Sequence, residues 1–342
     1  MSADALAEID QIPVIDNHCH PIVRDQRLTL DRWIDYFSPS HDTARNVPYT
    51  VFYRWAIRQL AAYLGVDADA QAVLDARNSR PLEQYVRGLA ENAGIAGLVE
   101  DEGYPIGEGA YSAQETADLF GVRCARLIRL ELLIQRLAAQ TDSFAATEER
   151  FRTAVANTTW DGFAGFKSIA AYRTGLALSP VERGEAEAAF AAVQREAHER
   201  GTVRLASKPV VDYFCAIALA EADRQGLPFQ FHTGYGDPDV DLLLANPLHL
   251  RDAIERYPRA AIVLLHESYP YMRQAAFLAM VYPNVYMDVS MVLPPLDWRE
   301  NLHSFRQALG VAPPTGSCTA PTRPTSPRCT GSAPAAPAPS CA

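Results

Sequence analysis

Positive charge is what this chain is shortest of. Its 31 Lys and Arg face 41 Asp and Glu, for a net charge of -10 and a pI near 5.3. A nucleic-acid surface needs a basic stripe, so that class of partner is excluded. No apolar run reaches the roughly 20 residues of a membrane span. The opening Met1-Ser-Ala-Asp-Ala-Leu-Ala-Glu has neither the basic start nor the apolar core of a signal peptide. The expectation is therefore a cytoplasmic protein without a membrane partner. Cysteine is sparse too: Cys19, Cys124 and Cys215 sit in apolar or strand-like contexts, and Cys318, Cys329 and Cys341 fall in an aberrant tail, so no disulfide framework is visible.

What the 342 residues do contain, at 48% hydrophobic and 21% charged, is enough for one large α/β core, since a parallel eight-stranded barrel needs about 250. Seven strand-like runs bounded by turn residues alternate with helical patterns: Val14 to His18, Ala96 to Glu100, Leu127 to Glu131, Gly162 to Lys167, Pro228 to His232, Ala261 to His266 and Val285 to Ser290. That alternation predicts βα units around a parallel sheet. Pro180 to Arg200, Val210 to Gln225 and Leu242 to Tyr257 carry apolar residues at helical spacing and suit helices on a barrel's outside. From about residue 26 to 90 the chain is aromatic and helical, with Trp33, Tyr36, Phe37, Tyr49, Phe52, Tyr53 and Trp55. This stretch reads as an insertion after the first strand that covers the barrel mouth, where loops build active sites.

Four of the eight histidines stand where apolar runs end, in VIDNHCHP (His18, His20), FQFHTGYG (His232) and IVLLHESYP (His266). On a strand, residues two apart share a side, so His18 and His20 can reach one ion while Cys19 turns away. A lone histidine is more often a packing residue than a ligand; four at strand ends point to a metal site. His41, His198, His249 and His303 have no partner at ligand spacing and read as surface or packing residues.

The HxH after the first strand, with a histidine after a mid-chain strand and another after the next, resembles the amidohydrolase superfamily from Ile12 to Trp298. More narrowly, it is similar to the amidohydrolase-related branch that includes a domain fused ahead of glutamine-synthetase-like domains. The resemblance implies a (β/α)8 TIM-type barrel, and a divalent ion, zinc or alternatively manganese, at the C-terminal ends of the strands. It also implies His18, His20 and His232 as metal ligands and His266 as a catalytic group or second-ion ligand. Such an ion brings a bound water's pKa to about 7 and polarises the bond under attack. The implied activity is hydrolysis of an amide, ester or lactone in a small anionic molecule. Related branches use the same ligands for decarboxylation, and a noncatalytic metal-binding or ligand-binding remnant is a further alternative; self-association stays open.

Lys167 ends the fourth run, where some binuclear relatives carry a bridging carboxylated lysine; with Arg173 in the same loop it reads instead as a cation for an anionic substrate. Arg129 and Glu131 are expected on one face of the third strand, as an interior ion pair. Asp101 and Glu102 read as a solvated acidic turn. Asp288 is the best remaining acid near the metal.

The resemblance also calls for an aspartate on strand 8, and the chain does not supply it. From Val311 to Ala342 there are eight Pro, seven Ala, five Thr and four Ser, with Val311 the only large aliphatic residue. Repeated proline removes ladder donors, so no strand is expected there, and the composition is that of a disordered tail. The barrel thus spans residues 1–310, incomplete at strand 8, and 311–342 is the tail. Codons built from the third base of one residue and the first two of the next permit R-L-L-Y-G-S-D over Thr315 to Thr322, then A-S-D-I-P-E-V-Y-W-L to Ser332. This is similar to the missing strand and its aspartate, so strand 8 is expected to have been lost to a frameshift, leaving an impaired copy.

Overall fold

The computed structural model describes residues 12–38, 42–104, 109–160, 162–288, 298–313 and 317–318. Its strands are Val14–Cys19 (β1), Ile95–Asp101 (β2), Arg123–Arg129 (β3), Phe163–Ser168 (β4), Pro228–Phe231 (β5), Ala261–Leu264 (β6), Val285–Asp288 (β7) and the two residues Ser317–Cys318 (β8). They lie in one sheet in chain order, each parallel to the next. Among the described residues β8 does not pair back to β1. The result is a (β/α)8 TIM-type barrel, incomplete at strand 8.

Between β1 and β2 come Leu30–Ile34 (α1), Thr43–Asn46 (α2), Val51–Leu64 (α3), Ala70–Ser79 (α4) and Leu82–Asn92 (α5). Local chemistry sets their ends. The Thr50 hydroxyl caps α3 by accepting from the Tyr53 amide, and Gly65 at φ 72° closes it in the left-handed region. Most of the aromatics read as a mouth cover form this insertion's own core instead: Trp33, Phe37, Phe52 and Tyr53 bury against one another and against Ile57, Leu60 and Leu74. Only Tyr36 of that set reaches the barrel mouth.

The remaining helices are Ala113–Phe120 (α6), Leu130–Gln140 (α7), Phe144–Ala156 (α8), Arg183–Arg200 (α9), Lys208–Gln225 (α10), Arg251–Arg256 (α11), Met272–Val281 (α12) and Trp298–Leu309 (α13). Phe166, Phe229, Phe231, Ile262, Leu264, Val285 and Met287 of strands β4 to β7 are buried with residues of α7 to α12 in the main core. Among the described residues no helix is long and apolar enough to cross a membrane, and Cys19, Cys124 and Cys215 are free.

Three readings need correction. The third strand starts at Arg123 and ends at Arg129, so Glu131 lies in the first turn of α7 and is not on a strand face. The expected helix Leu242 to Tyr257 is helical only from Pro247. Asn246 caps a 3-10 turn by accepting from the Leu248 amide, and Pro247 is tolerated at a helix start but not within one. The tail does contribute the two residues of β8, opposite Met287 and Asp288. Residues 314–316 and 319–342, the end of the seventh run at 289–290, and His41 lie outside the described residues.

Phe214 of α10 is fully buried, with its ring against those of Phe144, Phe151, Phe190 and Tyr213. Replacing it with Ala should lower unfolding free energy by about 3–5 kcal/mol in chemical denaturation; a loss under about 1 kcal/mol would show that this layer does not hold the barrel's outer helices.

Candidate metal and substrate site at the barrel mouth

All four strand-end histidines meet at the C-terminal mouth. Ring centroids lie 5.1 Å apart for His18 and His20, 5.6 Å for His18 and His266 and 4.8 Å for His232 and His266. They line a cavity of about 280 Å³ together with Lys167, Arg173, Arg129, Tyr172 and Tyr36.

The tautomers of three rings follow from their partners, because a carbonyl oxygen can only accept. His18 Nδ1 lies 2.8 Å from the side-chain oxygen of Gln230, whose own amide nitrogen donates to the Asn17 carbonyl. His20 Nδ1 lies 2.9 Å from the Asp101 carbonyl, and His232 Nε2 is 2.9 Å from the Tyr235 carbonyl. Each of those nitrogens therefore carries the proton, which leaves His18 Nε2, His20 Nε2 and His232 Nδ1 with free lone pairs. Burial reinforces this. It pushes the His18 and His232 imidazoles well below their usual pKa and His20 to about 4, so all three are neutral at pH 7.

Asp101 is the site residue that sequence reasoning missed. It is not a solvated turn but a fully buried carboxylate, and one of its side-chain oxygens forms, with one ring nitrogen each of His18 and His20, a set within 4.8 Å of one another. Arg129 Nε donates to both Asp101 oxygens at 3.0 Å, and its Nη2 also pairs with Oδ2. The Gly103 amide adds a third donor group; a Cβ on that glycine would overlap the guanidinium. Against the cost of burial, Arg129 and His20 hold Asp101 well below the usual carboxylate range. The expected Arg129 and Glu131 pair is thus corrected. Glu131 accepts from the Ser168 hydroxyl and the Ile169 amide instead. Glu102 pairs with Arg126 on the outside.

Lys167 and Lys208 are the only lysines in the chain. Lys167 is 1% exposed and its Nζ has no hydrogen-bond partner. Burial, opposed by Asp101 and abetted by Arg129, brings its pKa to about 7. Arg173 is half-buried at the same cavity, with Nε unpaired. Tyr172 lays its ring 4.3 Å from that of His232. Its hydroxyl accepts from the Asp237 amide, and a Cβ on Gly236 would collide with both rings. Of the remaining histidines, His198 and His249 bond to the Thr141 and Leu243 carbonyls, while His303 is exposed on α13.

His266 sits on an unusual backbone. His266, Glu267 and Ser268 all have positive φ, at 65°, 51° and 52°, a region that costs a non-glycine residue about 1–2 kcal/mol. Neighbouring strand ends enforce it. The Thr233 hydroxyl donates to the Leu265 carbonyl at 2.6 Å and lies 2.7 Å from that of Ser268. Asp288, buried as expected, accepts from the His266 amide at 3.0 Å. Gly234 packs so closely on the Ser268 backbone that a Cβ would overlap it.

A parallel βα barrel with neutral imidazoles, a buried carboxylate and a buried lysine at its C-terminal mouth defines a metal-capable α/β barrel site. The chain belongs to the amidohydrolase family (Amidohydro_2), which its residues 126–313 match. It is 29% identical over 337 residues to Protein fluG of Emericella nidulans, an alignment covering 89% of this chain; the chain spans about two fifths of that relative's length, 38%. Among solved structures it resembles a Lactobacillus casei protein described as a metal-dependent hydrolase, with 31% identity, 95% of this chain and 85% of the other covered, and a TM-score of 0.83. An uronate isomerase from Bacillus halodurans, 14% identical with 91% and 81% covered and a TM-score of 0.57, shares the fold alone.

Removing one partner of the buried Asp101 and Arg129 pair strands a charge. Arg129→Met should cost about 3–5 kcal/mol of stability in urea unfolding, and Asp101→Asn added to Arg129→Met should recover part of that loss. Additive losses would show that the two side chains are not coupled.

Proposed function

We propose that the chain is a metal-dependent hydrolase acting on an amide, ester or lactone of a small anionic molecule. The observation that carries the reading is that His18, His20 and His232, each with one ring nitrogen engaged by an oxygen acceptor, line one cavity with Lys167. Neutral imidazoles whose second nitrogens are held by oxygen acceptors are the donor arrangement of zinc-type sites, so the residues present fit such an ion, with manganese the alternative. His18, His20 and His232 would hold it. When bound, a divalent ion supplies Lewis acidity and an acidified water.

The chain's own groups supply the rest. Gln230 and the Asp101 carbonyl fix the rings, so no reorientation is needed when a ligand arrives. Lys167 at the cavity wall and Arg173 in the following loop present cations to a substrate carboxylate, an interaction that strengthens where water is excluded. His266, on its strained turn and facing His18 and His232, is placed to move a proton at the reacting group. Tyr36 brings the insertion into the wall of the same cavity.

Metal content of the purified protein checks the donor set: His18→Ala and His232→Ala should each abolish stoichiometric zinc or manganese, and Gln230→Leu should weaken affinity by about 10- to 100-fold. Unchanged stoichiometry in both histidine variants would remove the assignment. In a chain with its eighth strand restored, Lys167→Met should raise KM for carboxylate-bearing esters and amides by about tenfold or more while leaving neutral analogues unaffected. Equal effects on both would refute the anionic substrate, and carbon dioxide as a product would identify a decarboxylase instead.

A further inference from the structure

We propose that the seam between β7 and β1 is the seat of an eighth βα unit, and that the gene encodes this unit one frame away from the written residues after Pro314. The seam shows what it lacks. A parallel barrel strand is covered by helices and flanked by two neighbours. Phe229, Ile262 and Val285 in β5, β6 and β7 are at most 1% exposed, whereas Ile15, the second residue of β1, is 60% exposed and Ile12, two residues ahead of the strand, 61%. On the β7 side Leu302 and Leu309 of α13 are 47% and 39% exposed, and Val311 after it 41%. Apolar side chains thus remain uncovered on β1 and on the last helix before the seam.

The backbone shows the same gap. Among the described residues the second edge of β7 is paired with Ser317 and Cys318, opposite Met287 and Asp288, and the second edge of β1 is unpaired. Beyond Val311 the written residues include no large aliphatic side chain, whereas a barrel strand and its helix carry such side chains. The match to the family also stops at residue 313.

The shifted codons supply what the seam needs, at the register where it is needed. The codon spanning Ser317/Cys318 has the form ?TG, and that spanning Gly316/Ser317 has the form ?TC when Ser317 is read from TCN; both are compatible with leucine, so an apolar pair then falls at the two positions that already face β7. Tyr-Gly-Ser-Asp follows. That order, an apolar run and then polar groups at its C-terminal end, is the grammar of β5, β6 and β7 in FQFHTG, VLLHES and VYMDVS. The occupant is this segment of the same chain, neither the written tail nor a second copy.

Three chains test it: the chain as written, the chain stopped after Pro313, and the chain with one base inserted ahead of the Thr315 codon. Hydrogen exchange of the β1 amides, thermal unfolding and molecular mass in solution are compared. Only the base-inserted chain should be a monomer with β1 amides slowed by about 100-fold or more and a Tm raised by about 10 °C. Equal exchange and equal Tm in all three would overturn the proposal. So would a written chain that protects β1 by forming a dimer, since a second copy would then fill the seam.

Discussion

The buried ion pair between Asp101 and Arg129 is the contact on which the mouth depends. It joins the C-terminal ends of β2 and β3, and the Asp101 backbone carbonyl fixes the tautomer of His20. Its two charges act on Lys167 in opposite directions, Asp101 sustaining the ammonium and Arg129 opposing it. A dry pair of this kind contributes little net stability compared with apolar residues of the same shape. Its value lies in geometry: three donor groups saturate one carboxylate and leave the neighbouring imidazole a single orientation.

Around that pair, polarity and packing divide the barrel. Side chains buried with the outer helices, such as Phe166, Phe229, Phe231 and Leu264, make an apolar layer with α7 to α12. At the mouth the same strands present Lys167, Gln230 and the histidines that follow β5 and β6, and the neutral imidazoles of His18, His20 and His232 are tolerated there because each of the three has one nitrogen satisfied by a carbonyl oxygen. The long insertion after β1 keeps its own aromatic core and lends the cavity Asp35, Tyr36 and Ser38.

Much of this was legible in the chain. Strand periodicity and turn residues located seven strands, and histidines at the ends of apolar runs located the mouth, because strand direction in a parallel barrel carries every C-terminal end to one face. Partners were not legible. Arg129 is two residues from Glu131 and 28 from Asp101, yet β3 ends before Glu131, and an acidic Asp-Glu-Gly stretch looks like any solvated turn until the guanidinium beside it is seen. Gln230, which sets the tautomer of His18 from 212 residues away, carried no signal beyond its place in a strand.

The left-handed run at His266, Glu267 and Ser268 binds two loops into one mechanical part. Gly234 touches the Ser268 backbone, Thr233 holds both Leu265 and Ser268, and the residue before that threonine is His232. The β5 and β6 loops therefore cannot drift apart in sequence independently: a side chain gained at position 234 demands a different backbone at 268, which carries His266 with it. Through Tyr172, which meets Gly236 and His232, the loop after β4 is drawn into the same part, so diversification of this barrel's chemistry is steered toward the β1 insertion.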